Sequence, residues 1–214
     1  MNLENMINRY LITTAQYGAT PNKAFLQGLD KYCKHNDAEL LILPTRGRSV
    51  EDETLHPDLQ QYSIVDKEFR INKNIKVLNY DIRPNQVEPT TGLLRLAQGD
   101  CTTILPSPKQ RMKVIPNSNV DLPKVLMTTG AVTQPHYANK GRINNTARED
   151  HKYGAIIVER VNGTTYHYRQ IDALKNGKFC DLGIEYRGNS RPKKAKTKAV
   201  VLGDLHGVAI NPKA

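Results

Sequence analysis

Tryptophan is absent from this 214-residue chain, phenylalanine occurs three times, and aromatic residues of all kinds make up 6%. A protein that grips single strands by stacking needs a row of aromatic faces, and this composition gives such a platform little to build on. Cysteine is scarce too. Cys33, Cys101 and Cys180 are scattered, without the paired spacing of a zinc finger. They read as ordinary buried or half-buried thiols in a reducing compartment. Neither a P-loop nor a GxGxxG string occurs, so nucleotide binding of those kinds is not indicated. No apolar run reaches the length of a membrane span, and the opening MNLENMINRY has no apolar leader core. With 38% hydrophobic residues and a mean hydropathy of −0.57, the expectation is a soluble protein of the cytoplasm, with no membrane partner.

What the chain has in excess is positive charge. Lys and Arg number 31 against 21 Asp and Glu, a net charge of +10 and a pI near 9.5. Such a balance favours polyanionic partners, nucleic acid first among them. The charge is densest in RGNSRPKKAKTK, where Arg187, Arg191, Lys193, Lys194, Lys196 and Lys198 occur with no acid between them. The segment reads as a solvated linker over 187–198 or as a phosphate contact, and one segment can serve as both.

The N-terminal part carries the pattern of a βαβ unit. RYLITTAQ (Arg9–Gln16) and AELLILP (Ala38–Pro44) read as strands. TPNKAFLQGLDKYCKHN between them reads as a helix, with Thr20 as N-cap and Pro21 at the first helical position. The two strands should be parallel. Ser49 to Tyr62 reads as a short helix with Ser49 and Asp52 spaced as a capping box and Pro57 interrupting it. NIKVLNYD (Asn74–Asp81) is a third strand. Loops that leave the carboxyl ends of such strands gather at one edge, which should make neighbours of Thr14, Gln16, Asn22, Arg46, Arg48 and Arg83. Arg46 and Arg48 flank a glycine, an arrangement suited to gripping phosphate. The plainer alternative is a solvated loop without a partner.

Beyond Leu93 the sequence favours short strands and turns. GAIIVERVNGTTYHYRQI reads as a hairpin closed at Asn162-Gly163 by a type I′ turn. Polar side chains (Thr129, Thr133, His136, Lys140, His151, Glu159, His167 and Arg169) fall on or beside these strands. Histidines placed so are more often satisfied core or surface groups than ligands. The fold class expected is mixed α/β, an N-terminal βαβ unit with a β-rich second half over residues 1–186.

The chain ends with KAVVLGDLHGVAINPKA. Ala199 to Leu202 suits a buried strand. Gly203 and Gly207 allow a sharp turn around Asp204 and His206, which sit two apart and can address one point. A carboxylate with an imidazole suits a first-row divalent cation. Gly and Asp also occur at strand ends for conformational reasons alone.

The string AVVLGDLHG resembles the first motif of the calcineurin-like metallophosphoesterases. In that family the Asp and His of GDxH bind one metal and the Asp bridges to a second. The resemblance places those roles on Asp204 and His206, with manganese the expected ion. The family's later motifs are a second Gly-Asp, a Gly-Asn-His and two further histidines, and none follows within residue 214. The expectation is therefore the start, at 199–214, of a truncated metallophosphoesterase domain. Residues 1–214 alone should be inactive, because a two-metal site needs more ligands than these two. TTGAVT and HKYGAIIVE further resemble, across nearly the whole chain, the N-terminal part of large bacteriophage proteins that end in such a domain, the DNA-transfer nucleases of T5-like phages among them. That resemblance implies a phage metal-dependent phosphodiesterase acting on DNA in the host cytoplasm, with residues 1–186 serving substrate placement or assembly, including assembly with further copies. The alternative is a non-catalytic module that binds nucleic acid or a host protein.

Overall fold

The computed structural model describes residues 8–48, 53–97, 101–116, 124–197 and 199. Strand β1 (Arg9–Gln16), helix α1 (Lys23–Asn36) and strand β2 (Glu39–Thr45) form the expected βαβ unit. The two strands run parallel, from Tyr10 opposite Glu39 to Gln16 opposite Thr45. The helix starts later than Thr20 and Pro21 suggested. Asn22 is the cap, its Oδ1 accepting the Phe25 N–H at 3.1 Å. Pro21 instead bridges to Thr133, so the residues before the cap belong to an approach fixed by the rest of the fold.

The remaining strands are β3 (Ser63–Ile64), β4 (Glu68–Asn72), β5 (Ile75–Leu78), β6 (Thr102–Leu105), β7 (Met112–Ile115) and β8 (Lys124–Thr128). After α2 (Arg142–Glu149) come β9 (Tyr153–Arg160), β10 (Tyr166–Ala173), β11 (Phe179–Asp181), β12 (Ile184–Tyr186) and β13 (Lys193–Lys194). They form two five-stranded sheets, β10-β9-β1-β2-β3 and β4-β5-β6-β8-β7, and a small sheet β11-β12-β13. Both large sheets mix parallel and antiparallel neighbours. The fold is mixed α/β with a β-rich second half.

Residue alternation assigns the layers, since neighbours along a strand point to opposite faces. Leu11 and Ala15 of β1 pack with Phe25, Leu29 and Tyr32 of α1 and with Phe179 and Tyr186 of the small sheet. Tyr10 and Ile12 turn the other way, onto Val77, Ile104 and Met127 of the second sheet. The first sheet is thus covered on both faces, which explains why β1 and β2 read as continuous apolar runs. The outer face of the second sheet buries Leu105 and Leu126 with Ala97, which lies on a 3-10 turn over Leu94–Ala97. Arg169 closes the outer layer electrostatically. It bonds Asp181 at 2.7 Å and Glu159 at 2.8 Å, while Tyr32 donates to Asp181 at 3.1 Å. The Arg169 contact holds the Glu159 carboxyl below its ordinary range.

Several local expectations are corrected. The third strand shortens to β5 and belongs to the second sheet, not beside β2. Pro57 starts a 3-10 turn over Pro57–Leu59; Ser49 and Asp52 lie outside the described residues. The β9–β10 hairpin closes through Val161–Thr165, and Gly163 is not left-handed. Asn162 Oδ1 shapes this loop by accepting the N–H groups of Thr164 and Thr165 at 2.9 and 2.7 Å. The β4–β5 turn then docks on it, Lys73 N–H reaching the Gly163 carbonyl at 3.0 Å, and this contact replaces a two-residue turn. Cys101 is buried and Cys33 half-buried, but Cys180 is exposed. The basic segment includes a strand: β13 pairs with β12, and Lys193 Nζ lies 3.2 Å from Glu185.

Candidate nucleic-acid interface

β2 ends at Thr45, and the next three residues form a cationic arch, Arg46-Gly47-Arg48. Gly47 is needed because the arch lies hard against the loop leaving β1. A Cβ at this position would sit 2.1 Å from the Tyr17 carbonyl oxygen, far inside contact distance. The two arginines therefore project from a backbone that is clamped to its neighbour.

A second wall comes from the segment after β5. Thr45 Oγ1 donates to the Ile82 carbonyl at 3.4 Å, and Arg46 pairs with Asp81. These ties bring Arg83, Pro84 and Asn85 beside the arch although β5 lies in the other sheet. The third wall is the loop before α2. Gln16, at the end of β1, holds it through both atoms of its amide: Nε2 donates to the His136 carbonyl and Oε1 accepts the His136 N–H, each at 3.2 Å. From the other side Arg148 donates to the carbonyls of Tyr137 and Ala138 at 2.9 and 2.8 Å. Asn85 donates to the Asn144 amide oxygen at 3.2 Å and joins the second wall to the third.

The result is a pocket of about 340 Å³ lined by Arg46, Arg48, Arg83, Asn85, Tyr137 and Asn144, among others. Its lining contains three guanidinium groups and no carboxylate. Arg46 is shared with Asp81, so its charge is partly spent within the protein. Arg48 and Arg83 form no ion pair or hydrogen bond among the described residues and are exposed. Two open guanidinium forks with side-chain amides beside them suit the oxygens of a phosphate group.

Immediately beyond Arg46 the character reverses. A second hollow of about 470 Å³ shares Arg46 and is lined by Glu53, Asp66 and Asp81, with Tyr17 and Asn79. Burial, and then the charges of Asp66 and Glu53, push the Tyr17 hydroxyl above its ordinary range. A third hollow, about 730 Å³, lies beside α2 and is lined by His151, Lys152, Asp172 and Leu174. Its charged groups serve each other: Lys152 pairs with Asp172 at 3.1 Å, and Arg148 is committed to carbonyls.

Of the residues expected at the loop edge, Arg46, Arg48 and Arg83 do line one pocket. Gln16 supports its wall, Thr14 is buried in a hydrogen bond to Thr129 at 2.6 Å, and Asn22 caps α1. Lys193 and Lys194 lie on β13, away from the residues that line the pocket, and Lys196 is exposed. Lys198, Asp204 and His206 lie outside the described residues, and so does the strand expected from Ala199. Among the described residues no group of three or more His, Cys, Asp or Glu side chains is placed to hold a metal, and no helix is long and apolar enough to cross a membrane.

Tyr137, Asn85 and Asn144 were not anticipated from sequence. They come from segments whose approach depends on Gln16 and Arg148, for which no local pattern exists. His151 is a satisfied internal group. A carbonyl can only accept, so the proton is on Nε2, which donates to Thr133 at 2.8 Å. Nδ1 then accepts from the Tyr137 hydroxyl at 3.0 Å. Burial lowers its pKa to about 4, against a smaller raising effect of the Thr133 bond.

No protein-family profile matches the chain. It is similar to Protein A1 of Escherichia phage T5, with 23% identity over 186 residues that cover 81% of this chain and 33% of that protein. The chain thus spans about a third of the length of this relative. Among solved structures it aligns with Vps29 of Chaetomium thermophilum at 11% identity and a TM-score of 0.44, covering 82% of this chain and 94% of that one.

Proposed function

We propose that residues 1–197 place a nucleic acid, DNA in the first instance, for a metal-dependent phosphodiesterase unit that begins at AVVLGDLHG. The observation that supports this most is the convergence of Arg46, Arg48 and Arg83, from two sheets, on one pocket whose lining has no carboxylate. Arginine forks position phosphate without reading sequence, which is what a placing domain requires. In this proposal Asp204 and His206 are the first ligands of a divalent metal, manganese by expectation, which would polarise the scissile phosphate. The similarity to a phage T5 protein supports the phage setting and the host cytoplasm as the place of action. Lys193, Lys194, Lys196 and Lys198 would add a diffuse, sequence-independent attraction.

The test is the salt dependence of DNA binding by the 214-residue chain. Replacing Arg46, Arg48 and Arg83 by Gln should lower the slope of log K against log salt by about 2 to 3 for duplex DNA, one phosphate contact contributing about 0.9. Replacing the four lysines should lower it less. A slope unchanged by the arginine substitutions rejects the placement role. A second reading, a module that docks another protein, draws on β7, an edge strand with Met112 and Val114 50% and 70% exposed.

A further inference from the structure

The two adjoining hollows differ in sign, and this bears on how a polyanion can lie across them. Arg48 and Arg83 face the cationic pocket. Arg46 stands at its border, drawn towards Asp81, and behind it Glu53, Asp66 and Asp81 line the second hollow. A strand whose phosphates enter by Arg48 and Arg83 and continue past Arg46 would place its next phosphate among three carboxylates. Like charges at such separations repel, and desolvation in a hollow strengthens the repulsion.

Size acts in the same direction. A volume of about 340 Å³ lies at the small end of the ~300–1,000 Å³ range of small-molecule sites. It suits one nucleotide unit, not a duplex. Asn85 and Asn144 are joined to each other across the back of this pocket. Their bond makes the pocket a recess with a closed wall instead of a through-running groove.

We infer that the arginine pocket receives the terminal nucleotide of a single-stranded end, its terminal phosphate held between Arg48 and Arg83, while the acidic hollow blocks continuation of the chain past Arg46. A terminal phosphate monoester carries up to about two negative charges and three free oxygens, whereas an internal phosphodiester carries one charge and two free oxygens. Two guanidinium groups that are not neutralised within the protein match the monoester in both counts. This inference rests on the proposal that the arginine edge binds nucleic-acid phosphate, but it can fail separately.

The experiment uses the 214-residue chain and one short oligonucleotide sequence in four forms: linear with a 5′-phosphate, linear with a 3′-phosphate, linear without terminal phosphate, and covalently circular. Affinity is read by fluorescence anisotropy at fixed salt. One phosphorylated form should bind about tenfold more tightly than the unphosphorylated linear form, the scale of one charge-assisted contact of roughly 1.4 kcal/mol; which of the two does so identifies the end. The circle should bind no better than the unphosphorylated form. R48Q/R83Q should remove the preference, with circular dichroism unchanged because both side chains are exposed. E53Q/D66N should raise the affinity of the circle. If the circle binds as tightly as the phosphorylated forms and R48Q/R83Q weakens both, end recognition is overturned and backbone placement stands. Equal binding of phosphorylated and unphosphorylated linear forms likewise overturns the terminal-phosphate contact. If R48Q/R83Q affects no form, both readings fall.

Discussion

The space between the two large sheets has two ends of opposite character. Towards the amino end of β1 it is filled by Tyr10, Ile12, Leu41, Val77, Ile104, Met127 and Val158. Towards the carboxyl end the buried side chains are Thr13, Thr14, Gln16, Thr128, Thr129, Thr133, Ser107 and the fully buried Lys109. Here contacts are directional. Thr13 donates to the Gly154 carbonyl at 2.7 Å, Gln110 donates to the carbonyls of Thr129 and Ile171 at 2.9 and 2.8 Å, and Lys109 reaches Asp150 at 3.2 Å. Apolar packing resists unfolding but tolerates small shifts. Hydrogen-bonded pairs accept few geometries, and the polar end is the one from which the pocket walls are hung. The comparison teaches a division: one end supplies stability and the other supplies position.

The sharpest way to break that division is to remove volume at the apolar end. Ile12 is fully buried, and Ile12→Ala should cost about 4 kcal/mol by lost burial and the cavity left behind. Urea denaturation measures this. The arginine-dependent share of DNA binding should survive in the folded fraction, because no pocket wall hangs on Ile12. If that share fell along with stability, the two ends would be one unit.

A change of pH probes the polar end through His151. In the folded protein its pKa is about 4, against about 6.5 in an unfolded chain. Between these values the unfolded state binds the extra proton, so stability is complete above pH 6.5 and declines as pH falls towards 4. The 2.5-unit difference amounts to about 3 kcal/mol over the window. The groups around the ring (Tyr137, Tyr153, Lys152, Arg148 and Asp150) include both signs of charge, and burial leads the shift. His151→Gln should flatten this part of the stability curve. Because the ring holds Tyr137 and Thr133, the pocket should lose arginine-dependent binding in the same window, before global unfolding. An identical acid limb in the variant would remove His151 from the account.

How much of this was legible in the sequence divides along similar lines. β1, α1 and β2 were readable because burial on both faces writes itself as uninterrupted apolar runs, and parallel pairing follows from the helix between them. The hairpin was readable from alternation, its closure was not, because the β4–β5 turn reshapes Val161–Thr165 from a distant part of the chain. The same holds for the site. The strand-end rule correctly placed Arg46 and Arg48 on an edge, yet Arg83 reaches it from the second sheet, through Thr45 and Asp81. Asp81 as a partner, and the acidic hollow behind it, leave no trace in local pattern. Asp204 and His206 lie outside the described residues, so the metal centre rests on the resemblance of AVVLGDLHG alone.

The smallest predicted effect concerns the start of α1, where two residues compete for one role. Thr20 precedes a proline in the usual order of cap and first turn, but Asn22 accepts the Phe25 N–H. Its Nδ2 also donates to the Lys175 carbonyl at 3.1 Å, in the turn that follows β10. Asn22→Ala therefore removes a cap and a tie between two layers, and should cost about 1 to 2 kcal/mol. Thr20→Ala removes an exposed hydroxyl that is not the cap and should stay within about 0.5 kcal/mol. Asn22→Asp separates the two functions of Asn22. A carboxylate caps a helix and suits its positive end, but it cannot donate to Lys175. A loss in Asn22→Asp close to that of Asn22→Ala would put most of the energy in the tie to Lys175. A loss near zero would put it in the cap. Equal losses for Thr20→Ala and Asn22→Ala would return the cap to Thr20 and move the start of α1.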